Sequence, residues 1–187
     1  MGLTIREKAD TLATFRFASV HLMETLAQWV PSTPELEVKT LFGRHIWDFA
    51  QHADILGKRT AELRAALHYT RPPVEQYRLA LDALRTESRT AERLAGMYDV
   101  ILPDLEERYR RTLDAADRLL DEPSIRVLER ILGDFPRWRT DRQAVARERA
   151  DVAQEDPNWP ARLAGQVRAV KELVDSRSGA DTAVQPV

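Results

Sequence analysis

Two interleaved heptad columns constrain this chain more than any other feature. Phe42, Phe49, Leu56 and Leu63 recur every seven residues, and beside them run Val38, His45, His52 and Arg59. Seven residues are two helical turns, so each column leaves a single face of an α-helix. The stretch GRHIWDFAQHAD, residues 43–54, therefore points both imidazoles the same way, with Asp48 between them. No strand-like alternation of useful length occurs elsewhere, glycine is scarce, and proline falls at boundaries. The chain reads as all-α.

The remaining helices follow from the same periodicity. A first helix over 9–29 carries the seam Leu12, Phe15, Ser19, Leu22, Leu26, Trp29, with Phe17, Val20 and Met23 widening its apolar surface. His21 and Glu24 lie off that seam, which places His21 at the surface or in a subunit contact. Thr33 and Pro34 read as the cap and first turn of a second helix over 34–67. His68 follows it as a partner for the C-terminal dipole. A third helix over 74–101 has the seam Tyr77, Leu81, Leu84, Ser88, Ala91, Ala95, Tyr98, with Glu87 alongside. Pro103 kinks or restarts it, and residues 103–120 continue as a crossover. Asp121 caps the next helix, Pro123 sits in its first turn, and Pro136 kinks it. Residues 139–155 read as a solvated extension. A short final helix within 156–174 uses Trp159 as its anchor. The expected organisation is one domain over 1–175 and a disordered tail over 176–187.

Composition narrows the function classes. A chain of 187 residues can bury a sizeable core, and its formal net charge of −2 gives no field for nucleic acid or an anionic membrane. The arginines near Arg137 and Arg147 alternate with Asp141, Glu148 and Asp151, which reads as a solvated face. There is no cysteine, so thiolate chemistry and iron–sulfur ligation are excluded. The N-terminus lacks the apolar run of a signal peptide and no stretch could span a bilayer, so the cytoplasm is the expected location.

Two stretches resemble the ferritin-like superfamily. LFGRHIWDFAQHADILGKRTAELR is similar to the second helix of bacterial ferritin-like domain proteins, and LLDEPSIRVLERILGDFPRW to their fourth. The resemblance covers roughly residues 10–140. It implies an antiparallel four-helix bundle with a crossover segment, here with an extra C-terminal helix. A haem-oxygenase-like or thiaminase-like helical bundle is the runner-up. Metal-binding members carry Glu-x-x-His on both helices. In this chain those motifs read Phe49-x-x-His52 and Phe135-x-x-Trp138, so the resemblance implies a degenerate di-metal site and no resident metal cofactor.

Three functions stay open on the residues alone. In the first, the former metal cavity is an aromatic pocket for a small organic metabolite, in a cytoplasmic, cofactor-free enzyme of secondary metabolism resembling a cyclase or isomerase. His52 would transfer the proton, with Asp48 or His45 orienting it. Phe49, Phe135 and Trp138 would form the walls, and Tyr77, Tyr98, Glu87 and Glu24 would complete the substrate site. In the second, His45, Asp48 and His52 hold a single iron, manganese or zinc ion with Glu24 or Glu87, for oxidative chemistry. In the third, the protein binds a ligand or partner without catalysis, and each histidine is satisfied by a nearby carboxylate or carbonyl. Arg59 pairs with Glu62 at the helix end. A homodimer through helix faces is compatible with all three.

Overall fold

The computed structural model describes residues 3–67, 69–152 and 154–175, and all regular structure among them is helical. His68 and the tail at 176–187 lie outside the described residues. Helix α1 (Ile5–Ser32) begins earlier than its apolar seam. Thr4 and Glu7 form a capping box, each side chain bonding the other's backbone N–H. The seam residues Leu12, Phe15, Leu22, Leu26 and Trp29 are all buried. Thr33 does not open the next helix. Its hydroxyl donates back to the Trp29 carbonyl at 2.9 Å and so closes α1.

Helix α2 (Leu36–Glu62) runs antiparallel to α1, with Trp29 packed on Phe42 at a 5.5 Å ring separation and Gly57 facing Arg16. It stops short of the expected Leu67, because Arg64 adopts a positive φ of 66° that no α-helix tolerates. Helix α3 (Glu75–Arg85) then runs parallel to α1: Asp82 bonds His21 at 3.0 Å and Arg85 pairs with Glu24 at 3.3 Å. His21 is thus buried between two helices, not at the surface.

The third predicted helix is broken. After residues 86–89 the chain re-enters as α4 (Thr90–Leu94), a π-helical segment (Ala95–Ile101) and α5 (Leu102–Asp114). Pro103 stands just after the π-helical segment, and the chain continues helically through it. This stretch runs antiparallel to α1: Arg93 donates to Thr33 at 3.0 Å at one end, and Tyr109 packs on Phe15 at 4.3 Å at the other.

Helix α6 (Glu122–Leu132) and helix α7 (Phe135–Glu148) are separated by Gly133 and Asp134, which realises the expected kink as a break. Together they run antiparallel to α2. Arg59 reaches Asp121 at 2.9 Å and Ser124 at 2.8 Å, and Arg149 reaches Glu37 at 3.2 Å. Arg59 also pairs with Glu62 at 2.8 Å, but it is buried, so it is more than a helix-end pair. Val145 is buried, so the part of α7 read as a solvated extension lies against α2 along one face.

Helix α8 (Trp159–Arg168) docks on α3 and the π-helical segment. Trp159 is its anchor, as the sequence suggests, and Gly96 is the reason it fits. A Cβ at Gly96 would lie 2.4 Å from the indole ring and 2.7 Å from Leu84. Gly96→Ala is therefore expected to displace Trp159 and lower stability by about 1–3 kcal/mol through overpacking. Urea denaturation followed by tryptophan fluorescence measures this; an unchanged midpoint would show that α8 does not depend on the contact.

Candidate functional site

Antiparallel packing sets the α2 column against a matching column that starts at the break before α7 and continues along it. Asp134 and Asp141 are seven residues apart, like His52 and His45, so both pairs close together. His52 Nε2 lies 2.9 Å from Asp134 and His45 Nε2 lies 3.2 Å from Asp141. A carboxylate only accepts, so each Nε2 carries a proton. On His45 the other nitrogen, Nδ1, accepts from the Tyr98 hydroxyl at 2.8 Å. The result is a chain of donors, Tyr98 to His45 to Asp141.

Between the two histidines sits Trp138. Its ring centroid is 4.9 Å from Phe49 and from Phe135, 5.4 Å from His52 and 5.6 Å from His45. Its indole N–H donates to Asp48 at 2.8 Å. Arg137, on the solvent side, bonds Asp48 at 2.9 Å and Asp134 at 2.8 Å. The rings and imidazoles are buried, and the three carboxylates are half-buried toward Arg137.

The electrostatics follow from this layering. Burial holds the His45 pKa below the ordinary imidazole value, against the opposing pull of Asp141 and Asp48. The bond from His52, helped by Arg137, holds Asp134 down to about 2. Burial pushes the Tyr98 phenol well above its usual range, which keeps it a neutral donor.

The structure thus brings His45, Asp48, Phe49, His52, Tyr98, Phe135 and Trp138 together. It does not bring in the other three predicted residues. Tyr77 donates to Asp104 at 2.8 Å, beneath Arg108, because its face of α3 turns toward α5. Glu24 pairs with Arg85 on the outer face of α1 and α3. Glu87 sits in the break after α3, where it accepts the Ser88 N–H at 2.8 Å and the Arg89 N–H at 3.0 Å. Neither glutamate reaches the histidines. Among the described residues, no group of three or more His, Asp or Glu side chains converges as metal ligands would. The residues that sequence reasoning missed are Asp134, Arg137 and Asp141. The seven-residue spacing of the two aspartates, echoing that of the histidines, was the available signal.

A second feature lies elsewhere. A cleft of about 700 Å³ opens between the start of α1, the end of α5 and residues 171–175, with Phe15 and Leu173 in its lining. No protein-family model matches the chain, and no curated protein or solved structure matches it.

Two outcomes test this reading of the column. A buried histidine with a depressed pKa leaves stability undiminished above the unfolded-state value near ~6.5, and lowers it as pH falls beneath that value. His45→Gln should therefore flatten the decline of folding free energy between about pH 7 and 5, measured by urea titration at each pH. An unaltered slope would mean that His45 is not held neutral. Trp138→Ala should cost about 3–5 kcal/mol, since it empties the ring cluster and strips Asp48 of its indole donor. A cost under about 1 kcal/mol would show that the neighbouring rings close the space unaided.

Proposed function

We propose that this protein is a metal-independent, ligand-binding helical protein of ferritin-like build, with its ligand site in the cleft and not among the histidines. The order and directions of the helices support that build. The pairs α1 with α2, α2 with α6–α7, α1 with α4–α5, and α4–α5 with α6–α7 would be the four antiparallel sides of the bundle. In this arrangement α3 is the crossover, in place of residues 103–120, and α8 is the added helix. Convergence of Phe49, His52, Phe135 and Trp138 supports the alignment of the degenerate motifs with the second and fourth helices.

One observation carries the functional reading. Trp138 fills the space between the two histidines and the two phenylalanines, while the 700 Å³ cleft stands open at the start of α1. A cleft of that size suits a small organic metabolite. No helix of the described residues is long and apolar enough to cross a membrane; the cytoplasm is the setting we assign. A neutral apolar dye, Nile red, is the direct probe. Ala115 lines the cleft and is exposed, so Ala115→Trp should fill it without disturbing the core. Dye binding should fall in Ala115→Trp and persist in His52→Phe. Equal binding in wild type and Ala115→Trp would remove the cleft as the ligand site.

A second reading, acid–base catalysis in the column, is favoured by the Tyr98–His45–Asp141 chain and the His52–Asp134 pair. There His52 transfers the proton, His45 or Asp48 orients it, and the rings part to admit substrate. Such parting predicts amide hydrogen exchange along 134–141 much faster than global unfolding. Exchange there at the global rate would leave the column structural.

A further inference from the structure

We infer that the cleft takes an anionic amphiphile, a small organic acid or phosphate monoester with an apolar body. This rests on the cleft being the ligand site. The floor is apolar: Phe15 is buried and packed on Tyr109 at 4.3 Å, and Leu173 is buried beside it. The rim is charged, and which charges are already engaged decides the sign of the ligand.

Of the carboxylates nearest α1, Asp10 is ion-paired, whereas Glu7 keeps its charge and is bonded only by the uncharged donors of Thr4. Glu7 accepts both the N–H and the hydroxyl of Thr4, at 2.7 and 2.8 Å. Asp10 accepts the Tyr69 hydroxyl at 2.8 Å and pairs with Arg71. Arg108 is spent as well, on Asp104 at 2.7 Å and on the backbone carbonyls of Val167, Val170 and Lys171. Those bonds fix the wall that carries residues 171–175.

Three lining cations are not spent in this way. The side chains of Arg6 and Lys171 are exposed and make no hydrogen bond or ion pair among the described residues. Arg111 reaches only Glu107, at 3.8 Å, beyond hydrogen-bond range. Two carboxylates lie on the C-terminal wall: Glu172, whose side chain carries no such bond, and Asp175, which is engaged. Three long cationic side chains around an apolar floor complement a negative head group on an apolar body.

Isothermal titration with four ten-carbon probes separates the outcomes: decanoate, decyl phosphate, decyltrimethylammonium and decanol, each below its micelle concentration. The expected result is that decanoate or decyl phosphate binds at least about tenfold more tightly than the ammonium or the alcohol. Whichever anion binds more tightly tells carboxylate from phosphate recognition. Lys171→Glu and Arg6→Glu, both at exposed positions, should each weaken the anion and leave decanol unchanged, with circular dichroism confirming the fold. Tighter or equal binding of the ammonium or the alcohol would overturn the inference and leave the ligand-binding reading standing. Failure of all four probes to bind would overturn both.

Discussion

The hydrogen bond from the Trp138 indole to Asp48 holds α2 and α7 in one register. Asp48 is a half-buried carboxylate on α2, and a carboxylate drawn out of water needs donors. It has two, the indole N–H and Arg137, both from α7. The bond also orients the indole, which packs in tilted contacts against Phe49, Phe135 and the two imidazoles. Polar satisfaction and ring packing are therefore one constraint, because neither could be met with α7 rotated or displaced.

The breaks in the helices serve that arrangement. Gly133 and Asp134 interrupt the run from α6 to α7, and Asp134 at the break turns its carboxylate onto His52. On the opposite side, the π-helical segment Ala95–Ile101 carries Tyr98, whose hydroxyl reaches His45. A π-helical turn winds less per residue than an α-helical one, so it shifts the faces that follow it. The same segment carries Gly96, where α8 lays its indole. One irregular stretch thus meets both the histidine column and the C-terminal helix.

The sequence was most readable where apolar spacing alone decides the answer. The seams of α1 and α2 are buried as their periodicity says, and the inward column of His45, His52 and Arg59 is buried with them. It was least readable where a polar residue is buried by a partner far along the chain. His21 lies off the apolar seam and reads as exposed, yet Asp82 reaches it across sixty-one positions. Helical breaks were misplaced for a related reason. Proline signals a stop, but the chain runs helically through Pro103 after the π-helical segment, whereas the break at 86–89 carries no proline. Glu24 was assigned inward from the resemblance and Glu87 from its place beside the third-helix seam, and the break at 86–89 takes Glu87 off that seam. The cleft was invisible because its walls come from helix ends and a C-terminal segment that share no periodic pattern.

The matched spacing of histidines and aspartates leaves an ambiguity that Trp138 resolves. Because His45 and His52 are seven apart and so are Asp134 and Asp141, sliding α7 by two turns would still satisfy pairs. His52 would meet Asp141, and His45 would meet Glu148. Charge complementarity alone therefore does not choose between the two registers. In the slipped register, however, Val145 would face Asp48 and offer no donor, while the Trp138 indole would face Ile55 with its N–H unpaired. Each unmet buried polar group costs about 1–3 kcal/mol. The indole and its carboxylate thus act as Asn does within a coiled coil, specifying one alignment among near-equals. That role explains an indole at this position whether or not any ligand ever reaches it.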